Sequence, residues 1–149
     1  METFDPQKTQ QIWQRVYHTE APALDPRGLI PLISQEESDA ACCTRLMKGM
    51  GGRGNTLLNL SRQFRNNASV LRGIYSILSE KAPAAAFPPP REEAPSIALK
   101  KCYVNSLGRI HRYEELSGNP DYGQVFRALA ANTRGQCVLL LELIGKLTQ

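Results

Sequence analysis

Between Lys81 and Pro95 the chain reads KAPAAAFPPPREEAP, fifteen residues that include five prolines. Proline lacks a backbone donor and clashes with the preceding helical turn, so this stretch is expected to run extended. At about 3.1 Å per residue it reaches roughly 45 Å, whereas a helix of about 24 residues is roughly 36 Å long. Such a segment can travel the whole length of a helical bundle. The helices before and after it can therefore run parallel, an arrangement closed to elements joined by short loops.

On both sides of this segment apolar residues recur every three or four positions, and nowhere do they alternate as in a half-buried strand. A first long helix is expected from about Arg27 to Lys48, with Leu29, Leu32, Ile33, Glu36, Ala40, Cys43, Leu46 and Met47 on its seam. The run Gly49-Met50-Gly51-Gly52-Arg53-Gly54 breaks it, and Asn55 or Thr56 is the expected cap of the next helix. That run has no Lys-Ser/Thr after it and no strand before it, so it reads as a turn and not a phosphate cradle. The second helix, about Thr56 to Glu80, carries Leu60, Phe64, Asn67, Leu71, Ile74 and Leu78 on one face. An amide in the middle of that seam is the first sign of something unusual inside.

The third helix is expected over about Ser96 to Leu116. Ser117-Gly118-Asn119-Pro120 then supplies a stop and a cap, and a fourth helix runs to about Leu147. Ahead of all this, Gln7 to His18 sets Ile12, Trp13, Val16 and Tyr17 on one side of a short amphipathic segment. The expectation is a single all-α domain of 149 residues. It comprises an N-terminal helical extension over 1–26, a first hairpin over 27–80, the crossover over 81–95 and a second hairpin over 96–149.

The net charge of +4 and isoelectric point near 9.0 are mildly basic. Arg62, Arg65 and Arg72 lie off the apolar seam, with no aromatic residue interleaved on their own side of the helix, which speaks for a solvated face and against a nucleic-acid surface. No run is long and apolar enough to span a bilayer, and METFDPQKTQ lacks the pattern of a signal peptide. A cytoplasmic protein with reduced Cys42, Cys43, Cys102 and Cys137 is expected, since none of these forms a CxxC pair. His111 with Glu114 and Glu115 has helical spacing for one metal ion but lies off the seam, as a surface charge cluster would. A homodimer through helix faces or through the N-terminal helix, with Trp13 and Tyr17 as contacts, is the partnership the sequence suggests.

The two halves resemble each other. Adding 69 to Leu60, Phe64, Asn67, Leu71, Ile74 and Leu78 gives Leu129, Thr133, Gln136, Leu140, Leu143 and Leu147. For the first helix of each hairpin the offset is 70: Leu29 to Leu99, Glu36 to Ser106, Cys43 to Tyr113, Leu46 to Leu116. The polar intrusion itself recurs, as Asn67 in one half and Gln136 in the other. A duplicated hairpin is the simplest source of that match.

With Leu32-Ile-Ser-Gln-Glu36, Cys43-Thr-Arg-Leu46 and Leu60-Ser-Arg-Gln-Phe64-Arg-Asn-Asn67-Ala68-Ser-Val-Leu71, the first half resembles the ferritin-like superfamily, in particular its rubrerythrin-like branch. Tyr113-Glu-Glu-Leu116 and Leu129-Ala130-Ala-Asn-Thr133-Arg-Gly-Gln136-Cys-Val-Leu-Leu140 continue the resemblance in the second half. It implies a four-helix bundle of two hairpins with a long crossover between helices two and three. It also implies a di-iron site built from one Glu on each of two helices and a Glu-x-x-His on each of the others.

Carried onto this chain, the six ligand positions hold Glu36, Phe64, Asn67, Ser106, Thr133 and Gln136, so one carboxylate survives. A lone carboxylate cannot offset two iron cations, and Phe64 takes space the metals need. The expectation is a bundle without a functional di-iron centre and without catalytic residues, serving a binding or structural role. Phe64 then plugs the interior, and Asn67, Gln136, Ser106 and Thr133 form a polar cluster with Glu36, with Cys43 and Tyr113 bordering it. The alternative is a divergent oxidoreductase that holds iron or manganese through non-standard ligands, or a single ion on Glu36 and Cys43.

Overall fold

The computed structural model describes residues 23–147. Four helices account for most of them: α1 Ile30–Leu46, α2 Gly54–Ser79, α3 Pro95–Leu116 and α4 Gly123–Leu147. There is no strand among the described residues. The segment from Gln7 to His18, with Trp13 and Tyr17, lies outside the described residues.

Each helix starts and stops for a local reason. Asp25 accepts a hydrogen bond from the Arg27 amide at 3.0 Å and caps a 3-10 turn over Pro26–Leu29 that leads into α1. Pro31 and Pro95 sit in the first turns of α1 and α3, where a missing N–H costs nothing. Asn119 accepts from the Asp121 and Tyr122 amides at 3.0 and 2.8 Å, so a capped turn precedes α4. α2 ends on Glu80 at φ 58°, a left-handed position more often filled by glycine.

The glycine-rich break differs from the expectation. α1 stops at Leu46, and Met47–Gly49 and Gly51–Arg53 form two 3-10 turns, with Gly51 at φ 55°. The second turn feeds helical backbone directly into Gly54, so neither Asn55 nor Thr56 caps α2; Arg53 stands at that position without a side-chain cap bond. Leu78 also departs from its seam role and is 37% exposed. α2 has 26 residues against 17 in α1, so its last turn has less neighbouring helix to pack on.

α1 packs on α2 and α3 on α4, and the two pairs meet through α1–α3 and α2–α4 contacts. Cross-helix bonds set the directions. Arg72 grips Glu37 while Ser61 reaches the Ala40 carbonyl, so α1 and α2 are antiparallel. Arg109 meets Gln35 while Asn105 meets Asp39, which makes α1 and α3 antiparallel as well. α2 and α3 therefore point the same way, and the non-helical residues 80–94 connect them.

The backbone runs close where the hairpin turn meets α4. A Cβ on Gly123 would stand 2.4 Å from the Ser117 carbonyl oxygen, which is backbone and cannot swing aside. Gly123→Ala is expected to cost about 1–3 kcal/mol by forcing the turn apart. Equilibrium urea denaturation measures it, with Gly135→Ala, where no atom lies within 4 Å, as the stabilised control.

Candidate functional site: a buried ion network

The core is split in two. Cys43, Leu46, Leu57, Leu60, Phe64, Leu99, Cys102 and Leu140 form one apolar cluster. Leu29, Ile33, Leu71, Tyr113, Phe126 and Leu129 form the other. Between them lies a layer of buried polar side chains: Glu36, Asp39, Asn67, Ser106, Arg109, Thr133 and Gln136.

Arg109 organises this layer. Its side chain is 1% exposed, which for an arginine demands paired charge. Nε stands 2.9 Å from Glu36 Oε1, and Nη1 stands 2.7 Å from Asp39 Oδ2. Both are close ion pairs rather than linear hydrogen bonds. Linear bonds come from Nη1 to Gln35 Oε1 at 3.0 Å and from Nη2 to Ser106 Oγ at 3.1 Å. Cζ lies 5.5 Å from the centroid of the Phe64 ring, within cation–π range. Phe64 is fully buried and forms an apolar wall of the guanidinium site.

Glu36 collects the remaining donors. Tyr113 Oη donates to Oε1 at 2.8 Å, and Asn67 Nδ2 approaches the two oxygens at 3.3 and 3.5 Å. Asn67 Nδ2 also faces Gln136 Oε1 at 3.5 Å, so the two amides that the sequence repeat equates touch across the bundle. Asn105 Nδ2 reaches Asp39 Oδ1 at 3.4 Å. Thus Glu36, Asn67, Gln136 and Tyr113 form one group.

Three other expected positions behave differently. Ser106 turns to Arg109 and not to Glu36. Thr133 Oγ1 bonds the Leu129 carbonyl of its own helix at 2.7 Å, the usual way for a helical threonine to satisfy its hydroxyl. Cys43 lies two helical turns beyond Glu36, buried in the first apolar cluster, so the pair Glu36 and Cys43 does not converge on one point.

Arg109 and Asp39 are the residues that sequence reasoning missed. Their signal was positional. Leu99, Cys102, Ser106, Arg109 and Tyr113 follow steps of three and four, and Asp39 follows Glu36 by three.

Electrostatics follow from burial. Burial pushes the Glu36 carboxyl up from 4.5 to about 6, against the pull of Arg109, Tyr113 and Asn67. Burial likewise raises Asp39, with Arg109 opposing. Burial works against the charge on Arg109, but Glu36 and Asp39 outweigh it and hold its pKa above the ordinary arginine value.

A carboxyl whose pKa is raised on folding stabilises the native state most below its unfolded value. That contribution is lost as pH rises through the folded value. For Glu36 the window runs from 4.5 to about 6 and corresponds to about 2 kcal/mol. Denaturation at pH 4.5 and pH 7 is expected to show a smaller loss in Glu36→Gln than in the native chain, the remainder coming from Asp39, whose carboxyl is also raised.

These donors do not fit a di-metal centre. Among the described residues no group of three or more His, Cys, Asp or Glu is placed to hold a metal ion. The two interior carboxylates instead flank a covalently attached cation, and Phe64 fills the space beside it. Comparison with protein-family models, curated proteins and solved structures gives no match.

Proposed function

We propose that this chain is a ferritin-like bundle, related to the rubrerythrins, whose interior cation is the guanidinium of Arg109 in place of two irons. Its role is then non-catalytic, binding or structural, and is exercised by its outer surface. The observation that carries this reading is the pairing of Arg109 with Glu36 and Asp39 inside the bundle, beside the repeat-related amides Asn67 and Gln136. A guanidinium supplies the charge that carboxylates in a dry interior require, and it needs no exchangeable metal. The internal repeat, the two hairpins and the long connection between α2 and α3 support the ancestry. The four free thiols suit a reducing, cytoplasmic setting.

Ferrous iron with oxygen, and separately with hydrogen peroxide, tests the proposal. Iron oxidation is expected at the rate of buffer alone at any protein concentration. A rate that rises in proportion to the chain would overturn the non-catalytic reading and restore a divergent oxidoreductase.

A further inference from the structure

The outer face of α3 carries a pattern that its own fold does not use. The buried side is Ala98, Leu99, Cys102, Ser106, Arg109 and Tyr113. Opposite it, at steps of three and four, run Ile97, Lys100, Val104, Leu107 with Gly108, His111 and Glu115, all exposed. Ile97 is 50% exposed, Val104 63% and Leu107 45%. Beside them Arg134 of α4 pairs with Glu114, which brings that flank of α4, with exposed Val138 and Leu141 one and two turns on, against the edge of the same face.

Gly108 sharpens the pattern. It sits in the middle of a helix, where glycine is less favourable than alanine. A Cβ there would meet no atom within 4 Å, so nothing among the described residues excludes a side chain. What the absence of a side chain does provide is a shallow place where another helix can come close.

We propose that this face binds a second copy of the chain, α3 against α3 in antiparallel, about a two-fold axis passing between Leu107 and Gly108. In that register each Leu107 packs onto the partner helix at its glycine. Each Val104 stands opposite a His111, and each Lys100 opposite a Glu115. The charges argue for a copy of the same chain over an unrelated partner. α3 has lysines at 100 and 101 towards its start and glutamates at 114 and 115 at its end, an order that its own reversed copy complements in both halves. Glu115 is approached by Arg112 and His111 of its own helix, at 2.9 and 3.2 Å, yet is 51% exposed, so the partner's Lys100 competes with these two exposed groups for its carboxylate.

The α3–α4 face is about 33 Å by 20 Å, or roughly 660 Å² per copy, somewhat below the roughly 800 Å² of a standard interface. The dimer is accordingly reversible.

Sedimentation equilibrium of the full chain over micromolar to millimolar concentrations tests this. The mass is expected to rise from 16.6 kDa towards twice that value. Lys100→Glu and Glu115→Lys are each expected to weaken association about tenfold, and the two together to restore it. Gly108→Gln is expected to abolish the dimer while raising the melting temperature of the monomer, which separates lost contact from lost folding. A mass that stays monomeric at every concentration overturns the proposal, whether the face is bare or covered by residues 1–22. So does a dimer indifferent to Lys100 and Glu115, or a charge-swapped pair that fails to reassociate.

Discussion

Replacing Arg109 with methionine is expected to cost about 3–5 kcal/mol, because it leaves two carboxylates in a dry interior without their cation. Methionine fills most of the volume, so the loss reads charge and hydrogen bonding more than cavity formation. The sign of the pH dependence separates the two. Without Arg109 the pKa values of Glu36 and Asp39 rise further, since that guanidinium is the largest influence pulling each of them down. The deficit is therefore expected to shrink as pH falls and the carboxyls take up protons, and to be larger at neutral pH. A cavity would cost the same at either pH. Arg109→Lys keeps the charge but not the planar fork that reaches Glu36, Asp39, Gln35 and Ser106 together, so it is expected to recover only part of the loss. Adding Glu36→Gln and Asp39→Asn to Arg109→Met is expected to return most of it. Urea denaturation across pH reads all three variants.

Phe64→Ala is the second large effect, expected at about 3–5 kcal/mol. The ring is fully buried and packs with Leu57, Leu60, Leu99 and Leu140, so truncation leaves a void among residues that close only in part. It also removes the aromatic face lying 5.5 Å from the Arg109 guanidinium. Phe64→Leu retains apolar volume and loses only the ring, and is expected to cost about 1–2 kcal/mol. A double-mutant cycle between Phe64→Leu and Arg109→Met isolates the cation–π contact, with a coupling of about 1 kcal/mol expected.

The helices were legible because each carries a three-to-four repeat of apolar residues, and the crossover because prolines leave it no alternative. Asn67 and Gln136 stood out as polar residues on an apolar seam. Arg109 did not, although it occupies the same kind of position. A seam traced through leucines steps past an arginine, whose length and charge ordinarily place it in solvent, and Asp39 was passed over in the same way. Only the opposed positions of α1 and α3 make the three charges compatible with burial, and that pairing is a property of the fold. The hydroxyls of Ser106 and Thr133 were equally hidden, because which acceptor a hydroxyl chooses depends on its rotamer. The start of α2 was misjudged because a 3-10 turn, and not a side chain, supplies its cap.

The central claim is that a guanidinium holds this interior where bound metal would otherwise neutralise its carboxylates. Elemental analysis of the full chain, purified without chelator from iron- and manganese-supplemented cells, tests it most directly. Fewer than about 0.1 metal ions per chain are expected, since Glu36 and Asp39 are already engaged by Arg109. One or two tightly held ions of iron or manganese per chain would contradict it.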